Sequence, residues 1–373
     1  MARILDLASA NAVYGTRLLA EAGHDVIRVE VPQGDALRRQ GPFVDGAPVL
    51  ESGANHLFLN AGKRSLSLDL GSDSGKRIFI DLVRTSDVLV SSAPLAVEED
   101  ELFAANPDLI FINVASETGE LYAVARSGLL SITGQPGERP YVPGGHVAFA
   151  ITGLHVALAA SAGLLAREES GGGHRIAISE TECLVSMMEQ AMVGYMALGK
   201  GAERMGYRGA VTAVSGAFPC ADGYWMLSVP PSGDGWSRFV DWTGDPVFAG
   251  ENLQSEAHRN AQKEMLLDEI DRWSMGFSKL ELVTQGQERR IPATPVATPM
   301  ELLDDPQLIA RGYLRNMDHP LLGAVRMPIG AIATVCGDVA TRAPMLGEHT
   351  AEILRELGYS DEQRSALIEM AVI

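Results

Sequence analysis

The chain has 373 residues, enough for one large domain or two ordinary ones. Hydrophobic residues make up 46% and charged residues 21%, which excludes a disordered or fibrous chain. The formal net charge is −18 and no basic stretch offsets it, which argues against nucleic acid and anionic membranes as partners.

The first third alternates strand-like and helix-like segments. "RILDL" (3–7) reads as a strand, "GTRLLAEAG" (15–23) as a helix and "DVIRVEV" (25–31) as a strand. "RSLSLDL" (64–70), "DVLVSS" (87–92) and "DLIFINV" (108–114) are further strands, with "SGKRIFIDLVRTS" (74–86) a helix among them. Short β-rich runs separated by helices predict a parallel, doubly wound sheet with right-handed crossovers. A dinucleotide site needs G-x-G-x-x-G in the first βα turn, so that backbone can approach the pyrophosphate. That turn here is "ASANAVYG", with one glycine, so NAD is not expected even though Glu30 ends the second strand as a ribose-binding acid would.

"VPGGHVAFAITGLHVALAASAGLLARE" (142–168) is a turn followed by a long apolar helix. From His146 to Ala166 it runs 21 uncharged residues, about a bilayer's span. One weakly hydrophobic segment of this kind in a large α/β chain reads as a buried core helix. "EESGGGHRIAISETE" (168–182) gives a turn and a strand, and a packed helix follows over 180–198, with Met187 and Met188 as core filler. From Gly201 the texture changes to short strands, turns and tryptophans, as in "GYRGAVTAVSGAFPCADGYWMLSVPPSGDGW" (206–236). The expected division is a large domain over 1–200, a small domain over 201–300, and a connector with C-terminal helices over 301–373 that return to the large domain. Cys183, Cys220 and Cys336 are widely spaced and form no CxxC pair. This fits a reducing cytoplasm and no metal centre, and the N-terminal "MARILDLASA" has no signal-peptide core.

Several strings taken together resemble one family. They are "LLAEAGHDVIRVEVPQGDALR", "NAGKRSLSLDL", "SGLLSITG", "GLLAREESGGGHRIAIS", "PVATPMELLDDPQLIARGYL" and "APMLGEHTAEILRELGYSDEQ". Their order and spacing look like the class III CoA-transferases, a superfamily that includes acyl-CoA racemases, over nearly the whole chain. The resemblance implies a large Rossmann-like domain with a doubly wound parallel sheet, a smaller α+β domain, and two subunits interlocked as rings. It implies coenzyme A, as an acyl-CoA thioester, and a carboxylic acid as small-molecule partners. The paired subunit would be a second copy or a related chain.

Family stretches like "NAGKRSLSLDLG" and the first βα turn line CoA. They carry over to Asn11, Lys63, Arg64, Leu68, Asp69 and Gly71, with Arg38 and Arg39 supplying further charge. The plainer reading of Lys63 and Arg64 is a solvated loop before a strand. Ser92 and Ala93 stand where the family has an Asn-Phe that contacts CoA, and a nearby basic position has become part of "VEEDE". The Gly-rich segment after "INVAS" is shortened to "SETGELYAVARSG".

Family members capture the acyl group on an Asp that opens a helix, forming a mixed anhydride and then an aspartyl thioester. "PGGHVAFAITG" aligns with that string without a gap and puts Phe149 where the Asp belongs. A phenyl ring neither attacks a thioester nor accepts a proton. Racemases of the family use a His whose place here is Gly119, so that chemistry also lacks its carriers. Glu120 and His146 are the candidate substitutes, each with a plainer reading as a turn carboxylate and a loop histidine. Four functions stay open: CoA transfer between an acyl-CoA and a carboxylate, which the resemblance favours, a subunit without a nucleophile in a heteromeric CoA-transferase, an epimerase or lyase without a covalent intermediate, and a pure binding or scaffolding role.

Overall fold

The computed structural model describes residues 1–46, 48–115, 119–208, 212–330 and 341–373. Cys336 and residues 116–118 of the shortened segment lie outside these. The chain divides into two units. The first comprises Met1–Leu129, Pro143–Met192 and Arg311–Ile373, and the second Leu130–Val142 and Val193–Ala310.

The first unit is built on six parallel strands: β1 (Arg3–Leu7), β2 (Asp25–Glu30), β3 (Arg64–Ser67), β4 (Val88–Ser91), β5 (Ile110–Ala115) and β6 (His174–Ser179). Their order is β3-β2-β1-β4-β5-β6, so the winding reverses between β1 and β4. This is the doubly wound arrangement that the strand spacing predicts. Its central strands are buried on both faces and read as near-continuous Val, Ile and Leu.

The helices up to the long apolar one are α1 (Val13–Glu21), α2 (Ala54–Leu59), α3 (Asp73–Arg84), α4 (Glu99–Ala105), α5 (Glu120–Arg126), α6 (Leu129–Ile132) and α7 (Val147–Ser170). Alternate strand residues serve two cores, as a period of two requires. Leu5, Ile27, Leu89 and Phe111 join Ile78, Phe79 and Leu82 of α3, and Ile353, Leu354 and Leu367 from the last two helices. Ile4, Val26, Val88 and Ile110 join Val13 and Leu19 of α1 and Val156 and Ala160 of α7. α3 starts at Ser72, whose hydroxyl accepts the Gly75 N–H at 3.0 Å.

α7 is long and apolar enough to cross a membrane by length and composition alone, a test that core helices also pass. Here it crosses α1 with main chain against main chain. A Cβ on Gly15 would sit 2.3 Å from the carbonyl oxygen of Gly153, and one on Gly153 would sit 2.8 Å from the Gly15 nitrogen. Only glycine fits at both positions.

The second unit carries a three-stranded antiparallel sheet of β7 (Ser215–Cys220), β8 (Gly223–Ser228) and β9 (Ala293–Pro295). Its core gathers Trp225, Trp236, Phe239, Trp242 and Phe248, with Trp273 packed against it. In the first unit, β10 (Leu314–His319) and β11 (Gly323–Pro328) form an antiparallel hairpin.

Candidate active site at the start of α7

The carboxyl ends of β1 and β4 border the point where the sheet's winding reverses, the usual ligand crevice of such folds. A crevice of about 520 Å³ lies there. Leu68, Asp69 and Gly71, the residues to which the resemblance points, line it together with Ser9, Arg28, Asp35 and Ala93. The Asp69 carboxylate accepts the Gly71 N–H at 2.9 Å, which shapes the turn after β3. Ser92 lines a neighbouring cavity of about 690 Å³ with Glu98, Glu99 and Asn113, and its buried hydroxyl has no protein hydrogen-bond partner. Asn11 is buried beside α1, with its amide 3.5 Å from the Glu180 carboxylate.

The cations expected at this crevice lie elsewhere. Lys63 is no solvated loop residue. Its fully buried ammonium donates to Asp6 (2.8 Å), Thr16 Oγ1 (2.8 Å) and Asn60 Oδ1 (3.0 Å). Burial pushes its pKa down to about 8 despite the Asp6 charge. The Arg38 side chain is equally buried. It donates to both Glu30 carboxylate oxygens (2.7 and 2.8 Å), to Glu51 and to the Pro344 carbonyl oxygen (3.2 Å). Glu30 therefore pairs with Arg38 and is not poised for a ribose. Arg28 joins Asp6 (3.0 Å) to Asp35. Burial alone raises the pKa of Asp6, but Lys63 and Arg28 outweigh it and hold the carboxyl below its usual value. Arg64 pairs with Asp25 (3.2 Å), Glu352 (3.0 Å) and Glu356 (2.5 Å). Lys63 and Arg38 are thus structural cations in this chain, because buried charge persists only where it is matched. Their sequence strings give no sign of the acids that meet them.

The start of α7 does bring the other candidates together. His146 occupies the cap position in the left-handed conformation (φ 54°, ψ 41°). Its Nδ1 lies 3.0 Å from Glu120 Oε2, while Glu120 Oε1 accepts the Ala148 N–H at 3.2 Å. Glu120 begins α5 and reaches across to cap α7, a favourable place for an anion at a helix N-terminus. Phe149 follows one residue later, and its ring stacks on His146 with centroids 5.7 Å apart and planes 5° apart.

Phe149, His146 and Ala150 form one wall of a cavity of about 320 Å³. Ala10, Tyr14, Leu37, Phe58 and Leu59 supply the apolar remainder, and Gln40 and Asn55 the polar groups. Tyr14 and Phe58 are stacked, with centroids 6.3 Å apart and planes 11° apart. Sequence reasoning missed Tyr14, Phe58, Gln40 and Asn55. The available signal was an aromatic residue beside Asn11 and another just before the "NAGKRSLSLDL" string. Among the described residues, no group of three or more His, Cys, Asp and Glu is placed to hold a metal ion.

A parallel sheet with a ligand crevice at its winding reversal, and a capped helix beside it, defines a doubly wound α/β ligand-binding fold. The chain belongs to CoA-transferase family III, whose profile matches residues 2–350. It is 29% identical to the succinyl-CoA:(R)-benzylsuccinate CoA-transferase subunit BbsE of Thauera aromatica, over 100% of this chain and 97% of the relative. It is 31% identical to the succinyl-CoA:mesaconate CoA-transferase of Haloarcula hispanica, over 95% of each. A CAIB/BAIF family protein from Brucella suis has a similar solved structure, with a TM-score of 0.82 and 26% identity over 95% of this chain and 98% of that one.

Proposed function

We propose that this chain binds an acyl-CoA thioester and takes part in CoA transfer to a carboxylic acid, with the acyl-accepting carboxylate supplied by a related partner chain. The observation that carries this reading is the start of α7. Phe149 stands in its first turn, and the adjacent carboxylate, Glu120, is engaged by both His146 and the Ala148 N–H. A carboxylate bonded at each oxygen is stabilised as a helix cap, which lowers its nucleophilicity toward a thioester. The relative named as a CoA-transferase subunit supports an assembly of more than one chain. In this reading Leu68, Asp69, Gly71 and Ser92 lie along the thioester's crevice and Asn11 stands beside it. The partner interlocks with this chain, and the pair works in the cytoplasm, where the free Cys183 and Cys220 stay reduced.

Purification from the native host tests this directly. A related chain carrying the Asp should co-purify, and hydroxylamine treatment after incubation with acyl-CoA should label that chain alone. A homodimer that transfers CoA by itself, labelled at Glu120, overturns the assignment.

A second reading rests on the 3.0 Å contact between His146 and Glu120. The pair could move a proton at the α-carbon of a bound thioester, an acid–base step needing no covalent intermediate. Solvent deuterium appearing at that carbon, with no labelled carboxylate on either chain, would replace the first reading by this one.

A further inference from the structure

The cavity at the start of α7 differs in charge from what a dicarboxylate needs. We propose that it receives the acyl portion of the thioester and selects an uncharged planar group, an aryl or arylalkyl acyl chain, rather than a dicarboxylic one. This rests on the CoA reading above and names its substrate class.

Three observations support it. The lining contains no Lys, Arg, Asp or Glu, and its only ionisable side chains are Tyr14 and His146. The imidazole already faces the Glu120 carboxylate, so its charge, when present, is matched before a ligand enters. The cation packed on the slot, the Arg17 guanidinium, lies 3.7 Å from the Phe58 ring centroid and is 1% exposed. It is held by Glu21 (2.8 Å) and the Pro328 carbonyl oxygen (2.9 Å). A free carboxylate entering the slot would shed water against a lining that offers it no Lys or Arg side chain.

The shape agrees. Two pairs of nearly parallel rings, Tyr14 with Phe58 and His146 with Phe149, offer faces and edges for a flat aromatic guest. The volume of about 320 Å³ exceeds the roughly 150 Å³ that suffices for benzene in an apolar cavity, and leaves room for a short linker to the thioester. Asn55 and Gln40 are the uncharged donors that remain for the thioester carbonyl.

Calorimetry on the full chain, with its partner if one co-purifies, would compare free CoA, benzoyl-CoA and succinyl-CoA. The expected result is measurable CoA binding, with benzoyl-CoA at least ~10-fold tighter than succinyl-CoA. Asn55→Arg, which places a cation in the slot, should reverse the order of the two thioesters. Gln40→Arg, at an exposed position, makes the same test should the first variant not fold. CoA binding with succinyl-CoA equal to or tighter than benzoyl-CoA overturns the aryl assignment and leaves the CoA reading standing. No binding of CoA or either thioester overturns both.

Discussion

At the carboxyl ends of β1 and β2, Asp6, Arg28, Glu30, Arg38 and Lys63 are packed together in the interior, each facing an opposite charge. The slot at the start of α7, in the same unit, has no Lys, Arg or carboxylate side chain in its lining. The residues that resemble ligand-binding cations are thus paired within the protein, while the slot at the start of α7 is walled largely by rings and aliphatic groups. Buried ion pairs contribute little net stability, yet breaking one is costly, because the surviving charge cannot be hydrated. A stacked ring pair is worth roughly 0.5–1.5 kcal/mol beyond the area it buries, and its faces carry no charge that needs a partner.

The largest effect that sharpens this contrast is expected from Arg38→Met. It strands Glu30 and Glu51 in the interior and should cost ~3–5 kcal/mol in urea unfolding. A loss under about 1 kcal/mol would mean that the network is hydrated and available to ligands. Next comes Phe149→Asp, assayed by acyl capture from a thioester panel. Removing such a nucleophile costs on the order of 10⁴–10⁶ in rate, so restoring one should raise hydroxylamine-labile acyl-enzyme by ~100-fold or more. Silence from a folded variant that still binds CoA would show that the start of α7 no longer faces the thioester carbon.

The third test concerns pH. Burial, aided by the Arg38 charge, pushes the His56 imidazole down to about 3. Its Nε2–H donates to the Pro344 carbonyl oxygen at 3.2 Å, and Nδ1 accepts from Asn60 at 3.0 Å. Below its ordinary value of 6.5 the unfolded chain binds a proton that the folded chain refuses. This group's stabilisation is therefore present above that pH and lost as pH falls toward 3, by up to ~1.4 kcal/mol per pH unit. His24, His319 and His349 are also lowered by burial and act in the same direction. His56→Gln should flatten, without abolishing, the slope of unfolding free energy between pH 6 and pH 5 (about 5–6 is the window that precedes carboxylate titration). An unchanged slope would show that His56 is solvated. The smallest effect is expected from Glu120→Ala, which frees the Ala148 N–H and should cost ~0.5–1 kcal/mol in thermal unfolding.

The strands and their parallel, doubly wound arrangement were legible because short Ile-, Val- and Leu-rich runs such as "RILDL", "DVIRVEV" and "DLIFINV" alternate with helical segments. The start of α7 was legible too: the Pro-Gly-Gly turn, His146 and Phe149 fall where a helix opens. The charge network was not. Lys63 meets Asp6 from 57 positions away and Arg38 meets Pro344 from 306 away, and no local pattern records such meetings. Glu120 and His146 were each visible as polar residues near turns, but that one reaches the other across 26 positions is a property of the folded chain. The aromatic slot went unread for the same reason, since Tyr14, Phe58 and Phe149 belong to three different helix beginnings and ends.

The bare contact between Gly15 and Gly153 constrains what the slot can admit. Tyr14 precedes one of these glycines, and Phe149 and Ala150 stand a turn before the other. The gap between the two helices is fixed by main chain and by the Cβ atoms of Tyr14 and Val156, where no rotamer change can widen it. The close crossing therefore fixes how near the Tyr14 and Phe149 walls of the slot stand to each other, leaving the α2 side to adjust to a guest.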